Sequence, residues 1–207
     1  MFITFEGGDG VGKSTQARLL VEALRRSGRE VLLTREPGGT PGAEKLRALL
    51  LSPEDDWCSL TETLLHFAAR SEHVARVLRP ALDAGQVVVC DRFIDSTLAY
   101  QGYGRGGDLA TIEALAGMIG LRPDLTLVLE ASPEVAAKRL AARGNAGDRY
   151  ESLGSDFQRR VVAGFRAIAA ANPGRCAVVP GDGRPEEVHA MVCAEVARRS
   201  AVRPPAS

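Results

Sequence analysis

The sequence predicts a three-layer α/β/α fold around a five-stranded parallel sheet. Three observations carry this. Short, mostly apolar runs without polar alternation recur along the chain, and such runs suit strands covered on both faces. Longer stretches with apolar residues three and four apart separate them, and strand–helix alternation implies crossovers between parallel strands. The first apolar run leads at once into a glycine-rich loop and a helix start, FEGGDGVGKST (Phe5–Thr15).

Taken in order, Phe2–Phe5 (FITF) is the first strand. Lys13–Ser27 follows as a helix, because Ala17, Leu20, Val21 and Leu24 share a face and Gly28 is a stop. Val31–Thr34 (VLLT) is the second strand. Leu60–Ala84 reads as a long amphipathic helix in which Pro80 predicts a kink or break. Val87–Cys90 (VVVC) and Leu125–Leu129 (LTLVL) are the third and fourth strands. Pro133–Arg143 begins well as a helix, with Ser132 as N-cap and proline at the first helical position. Phe157–Ala171 is a further helix, Cys176–Val179 (CAVV) the fifth strand, and Pro185–Arg199 the closing helix. Gly102–Gly107 (GYGRGG) and Gly144–Gly147 (GNAG) read as glycine-rich loops, and Val202–Ser207 as a frayed tail. With no internal repeat and no linker, residues 1–207 read as a single domain.

Composition narrows the function. Lys plus Arg and Asp plus Glu number 26 each, so the formal net charge is zero. That argues against bulk electrostatic binding to nucleic acid or an anionic membrane. Cys58, Cys90, Cys176 and Cys193 lack CxxC spacing, which reads as free thiols in a reducing compartment rather than a zinc site. Met1 leads into an apolar strand without a basic leader, and no apolar run approaches a membrane span. The expectation is a cytoplasmic soluble protein with a small-molecule substrate.

Gly7-x-x-x-x-Gly12-Lys13-Ser14 is a P-loop, placed after a strand and opening a helix. Glycines let successive N–H groups converge on one anion, and the helix N-terminus adds its dipole. Gly7, Gly8, Asp9, Gly10, Val11 and Gly12 form the cradle and run into Lys13, Ser14 and Thr15. Lys13 would reach the β- and γ-phosphates, and Ser14 would ligate Mg²⁺. The absence of an Asn-Lys-x-Asp string argues against a GTPase. Arg35-Glu36 ends strand two and Asp91-Arg92 ends strand three. In an open parallel sheet that edge binds ligands, so two arginines facing a P-loop suggest a second anion, or else structural salt bridges.

TREPGG (Thr34–Gly39), DRFIDSTLAYQG (Asp91–Gly102) and RPDLTLVLE (Arg122–Glu130), with the P-loop, resemble the bacterial thymidylate kinase family from the first strand to the last helix. The resemblance implies a P-loop kinase of the nucleoside monophosphate kinase type, a homodimer, and ATP with Mg²⁺ as co-substrates. It implies dTMP as acceptor, phosphorylated to dTDP by direct in-line transfer in dTTP synthesis. By this resemblance Asp9 approaches the sugar 3′-hydroxyl and the acceptor-phosphate arginine. Arg35 and Arg92 resemble the pair that holds the acceptor phosphate. Asp91 resembles the acidic group near Mg²⁺, with orientation of Arg92 as its alternative role. Glu36 could share in the metal region, and Glu36–Pro37 is a candidate cis bond. Arg70 resembles the arginine that donates to thymine O4. The base-stacking aromatic is expected four residues earlier, at His66, while Phe67 lies one position on; one helical residue is about 100° of rotation, so only one of them can stack. Thr97, Tyr100 and Gln101 resemble the wall around base and sugar, and Arg47 either lines the same pocket or is an exposed helix arginine. Arg139, Arg143 and Arg149 resemble the lid, about residues 139–151, with Arg149 and then Arg143 as the transition-state cation. Pro180, Gly181 and Asp182 lie where the family holds adenine.

Overall fold

In the computed structural model, which describes residues 1–144, 149–150 and 153–202, five parallel strands lie in the order β2-β3-β1-β4-β5. They are β1 (Phe2–Glu6), β2 (Val31–Arg35), β3 (Val87–Asp91), β4 (Leu125–Glu130) and β5 (Cys176–Pro180). Side chains alternate between two cores, as the pleat requires. Ile3 and Phe5 of β1 join Val87, Val89, Leu125 and Leu127 beneath helices α1 (Lys13–Arg26) and α9 (Pro185–Val202). Phe2, Val88, Cys90 and Val128 face the other way, toward Phe157, Val161 and Phe165 of α8 (Gly154–Ala171). The sheet is therefore covered on both sides, as its mostly apolar strands predicted.

β1 leads to α1 and then to β2 at the sheet edge, and β3 returns to lie between them. The strand order reverses beside β1, so a crevice opens where β1 and β3 end. Phe5 pairs with Asp91 there, and Arg35 pairs with Asp91 from the other side. The P-loop, Arg35, Asp91 and Arg92 sit at or just beyond this edge.

The helices follow their expected signals with instructive exceptions. Thr40 caps α2 (Pro41–Leu51), its hydroxyl accepting from Ala43 N at 3.1 Å. The long helical run is α3 (Ser59–His73), a π-helical segment (Val74–Leu78) and α4 (Arg79–Asp83). Pro80 does not end the run: helical residues continue to Asp83, and the π turn just before the proline accommodates the i−4 bond it cannot make. A second π segment, Leu98–Gly104, continues the short helix α5 (Ile94–Thr97), so the first half of GYGRGG is buried helix rather than loop. Helix α6 (Leu109–Ile119) was not read from the sequence, although its signals are present. Asp108 caps it through Ala110 N and Thr111 N, and Gly120 closes it at φ 64°. Ser132 precedes α7 (Pro133–Arg143) without a side-chain cap, because its hydroxyl donates to Asp182 instead.

Candidate active site

A cleft of about 650 Å³ opens over the carboxyl ends of β1 and β3. Its donor end is the P-loop. Gly7 has φ 128° and Gly12 has φ 101°, conformations that favour glycine. A Cβ on Gly7 would lie 2.2 Å from Leu129 O, so the loop presses directly on β4. Gly12 enters α1 with no side-chain cap, which leaves the first helical N–H groups facing the cleft. Lys13 is buried and donates to Gly8 O at 2.5 Å. Burial, and then the nearby Arg92, push its pKa down to about 8. Ser14 Oγ donates to Asp91 Oδ2 at 2.5 Å. A hydroxyl and a carboxylate side by side beneath a phosphate cradle are hard oxygen donors of the kind Mg²⁺ accepts.

Arg139 of α7 closes the donor side. It donates to Val11 O at 3.3 Å, Gly181 O at 2.8 Å and Gly183 O at 3.2 Å. Gly10 packs under the same helix, where a Cβ would meet Ala136 O at 2.4 Å. Gly181 lines the cleft beside Gly183 and Pro185. Pro180 and Asp182 do not line it. Pro180 pairs with Glu130 as the end of β5, and Asp182 is turned toward Ser132 N at 2.8 Å.

Arg92 stands at the centre. Among the described residues it alone combines a side chain with positive φ, at 71°. Such a conformation costs on the order of 1–3 kcal/mol and persists only where the surroundings impose it. Its Nη1 donates to Gly7 O and Ser96 Oγ, both at 3.0 Å. Its Nη2 donates to Asp9 Oδ1 at 2.5 Å and to the Tyr100 hydroxyl at 3.1 Å. Tyr100 in turn donates to Asp9 Oδ2 at 2.8 Å. Burial works against ionising Asp9, but Arg92 and Lys13 win and hold its carboxyl below the ordinary range. Beneath this group Glu6 accepts from Phe93 N at 2.7 Å and from Ser96 Oγ at 2.5 Å. Burial and the neighbouring Asp95 push its pKa up to about 8.

Arg35 lines the cleft but is held by Glu44, at 2.8 and 3.2 Å. The Arg35 hydrogen bond, with help from Gly39 N, pushes Glu44 down to about 2. Arg47 also lines the cleft and donates to Pro37 O at 2.8 Å. Glu36–Pro37 is cis. Glu36 is not turned to the metal side: its carboxylate is buried between Arg70 Nε, 2.7 Å away, and His73 Nδ1 at 3.0 Å.

The far end of the cleft is apolar with polar edges. Arg70 donates to Phe93 O at 3.0 Å and Thr97 Oγ1 at 3.1 Å, and its buried Nη1 has no hydrogen-bond partner. His66 lines the cleft, and its Nε2 lies 3.0 Å from the Tyr150 hydroxyl. Burial, and then Arg70, push its pKa down to about 3, so the ring is neutral near pH 7. Gln101 Nε2 donates to Glu62 Oε1 at 2.7 Å and to Tyr150 at 3.3 Å.

Besides Pro180 and Asp182, Phe67 and Arg149 also lie elsewhere. Phe67 belongs to the core and does not line the cleft; its ring sits 4.9 Å beneath the Arg70 guanidinium. The rotation between consecutive helix positions turns His66 to the cleft and Phe67 away. Arg149 does not line the cleft either. It is buried 2.9 Å from Glu62 Oε2, because a carboxylate with no exposed surface needs a cation. The Arg143 side chain and residues 145–148 lie outside the described residues. Sequence reasoning missed Phe93, Glu44 and Tyr150, which join the cleft or steer its arginines. Tyr150 follows Arg149 directly, but nothing in its local pattern places it at the far end of the cleft.

A P-loop at one end and an arginine-and-aromatic pocket at the other make a site for two ligands, one a nucleoside triphosphate. Comparison with known proteins agrees. The model of the thymidylate kinase family matches residues 5–192. A thymidylate kinase of Gluconobacter oxydans is 54% identical over 196 residues, covering 93% of this chain and 92% of that protein. One from Synechococcus sp. (strain JA-2-3B'a(2-13)) is 54% identical over 201 residues, covering 96% and 95%. The crystal structure of a thymidylate kinase from Ehrlichia chaffeensis superposes with a TM-score of 0.80 at 38% identity, covering 95% of this chain and 98% of that one. With cradle, second-ligand pocket and near full-length similarity in agreement, the chain belongs to the thymidylate kinase family.

Proposed function

We propose that this protein transfers the γ-phosphate of MgATP to dTMP, giving ADP and dTDP for dTTP synthesis. The observation that carries the reading is the placement of Arg92. A half-buried guanidinium, held between Asp9 and the P-loop carbonyl of Gly7, supports a reading in which it meets a second phosphate opposite the γ-phosphate. Such a group holds the attacking oxygen in line and neutralises its charge. The acceptor phosphate is already an anion, so no strong general base and no covalent intermediate are required.

The other roles follow from position. The loop from Gly7 to Thr15 binds the triphosphate, with Lys13 leaving Gly8 O to reach it. Ser14 and Asp91 would hold Mg²⁺, which would offset the negative charge of the phosphates. Arg139, Gly181 and Gly183 hold the adenosine side. Arg35 exchanges Glu44 for the acceptor phosphate. Arg70, through its unpartnered Nη1, donates to a base carbonyl, while His66, Thr97 and Gln101 frame the ring. Tyr100 crowds a 2′-hydroxyl and favours the deoxy sugar. With Arg149 engaged by Glu62, Arg143 is the proposed lid cation.

We further propose a cytoplasmic homodimer. Leu60 and Leu64, one turn apart on α3, are 55% and 47% exposed and give that helix an apolar stripe for a second copy. The test of function is ADP release with MgATP across a panel of nucleoside monophosphates. Release that depends on dTMP is expected; equal ATP hydrolysis with and without dTMP would instead mark an ATPase.

A further inference from the structure

Glu6, the last residue of β1, has no role in the mechanism above and does not line the cleft. Its side chain is fully buried, on a strand whose other residues are Phe2, Ile3, Thr4 and Phe5. A carboxylate there is expensive, especially beside Asp95, and its pKa of about 8 reflects that cost. Its two oxygens are spent on one turn. Phe93 N, the amide immediately after Arg92, donates to Oε1 at 2.7 Å, and Ser96 Oγ donates to Oε2 at 2.5 Å. Ser96 Oγ is at the same time the acceptor for Arg92 Nη1 at 3.0 Å. A hydroxyl with one proton has one orientation that satisfies both bonds: it gives to Glu6 and receives from Arg92. Arg92 N is tied to Phe5 O at 2.9 Å, and its φ of 71° is held between that bond and the Glu6–Phe93 bond.

We propose that Glu6 is a positioning residue for Arg92, fixing the strained turn and, through Ser96, the direction in which the guanidinium points. This rests on the reading of Arg92 as the acceptor-phosphate group. Asp95 supplies the contrast. It too is buried, but it is paired at 2.7 Å with Arg175 and bonded to Thr126, away from the cleft.

Steady-state kinetics on the full chain test this with Glu6→Gln and Ser96→Ala, each alone and combined with Arg92→Lys. Glu6→Gln keeps the volume but presents an amide group to one of the two donors. KM for dTMP should rise about tenfold, the scale of one lost buried hydrogen bond, with KM for ATP unchanged within about twofold. In the Arg92→Lys background, with no guanidinium left to aim, the further rise should fall below about twofold. Equal loss for both substrates, or the same rise in both backgrounds, would overturn the proposal and leave Glu6 a scaffold residue. Should Glu6→Gln not fold, Ser96→Ala keeps the Glu6–Phe93 bond and runs the same cycle with the same deciding outcomes. Wild-type turnover that does not depend on dTMP would refute the parent reading; dTMP-dependent turnover with additive variants would refute this inference alone.

Discussion

Arg149 and Glu62 lie 2.9 Å apart at 7% and 0% side-chain exposure, so Arg149→Ala leaves a buried carboxylate without its nearest cation. Breaking a buried pair by removing one partner destabilises by about 3–5 kcal/mol, because the remaining charge has neither water nor a counter-ion. Arg105 stands 3.8 Å from the same oxygen and softens the loss, which favours the low end, about 3 kcal/mol. For a domain of this length each kcal/mol shifts the thermal midpoint by about 2–4 °C, giving a fall of about 6–12 °C. Scanning calorimetry measures it. A second variant sharpens the result: Glu62→Gln in the Arg149→Ala background removes the stranded charge and should recover at least half of the lost midpoint. A lid cation acting only on the transition state would behave differently, with an unchanged midpoint and a kcat reduced by about 10³ or more. A midpoint within about 1 °C of wild type would refute the reading of Arg149 as the buried partner of Glu62.

Arg70→Ala should raise KM for dTMP by about ten- to a hundredfold, the loss of one or two charged hydrogen bonds, while KM for ATP stays within about twofold in the same assay. Glu44→Gln should leave the thermal midpoint nearly unchanged, since an exposed pair contributes about 0–1 kcal/mol, yet lower KM for dTMP by releasing Arg35; a raised KM would remove Arg35 from the acceptor site. The His66 pKa of about 3 lies below its ordinary value, so the unfolded chain binds more protons there between about pH 3 and pH 6.5. Its contribution is therefore fully present above pH 6.5 and declines as pH falls. Midpoints measured at pH 7.5 and pH 5 should converge between wild type and His66→Gln at the lower pH, and a gap that widens there would show the opposite linkage.

Much of this architecture was legible before any coordinates. The strands carry mostly apolar runs because both sheet faces are covered, and the phosphate loop carries glycines because Cβ atoms would collide with Leu129 and Ala136. Those constraints act within a few residues and leave a mark in the sequence. Helix α6 was hidden although Asp108 and Gly120 mark its ends, because its interior mixes Ala, Leu and Ile without a clear polar stripe. The π segments were hidden because one extra residue per turn leaves no compositional trace. Phe67 and Arg149 show the limit more sharply. Whether a helix aromatic faces cleft or core turns on a rotation of one position, and whether an arginine is a catalytic cation depends on a carboxylate 87 positions away, Glu62, reaching it first. Contacts across that separation are set by the tertiary fold, which no local pattern records.

The base of α7 is riveted at three points: Arg139 grips carbonyls from two loops, Ala136 rests on Gly10, and Ser132 is tied to Asp182. A helix so anchored cannot lift as a rigid rod. Any movement of the chain that follows must pivot beyond Arg139, because the helix before it is fixed to the phosphate loop and to the turn after β5.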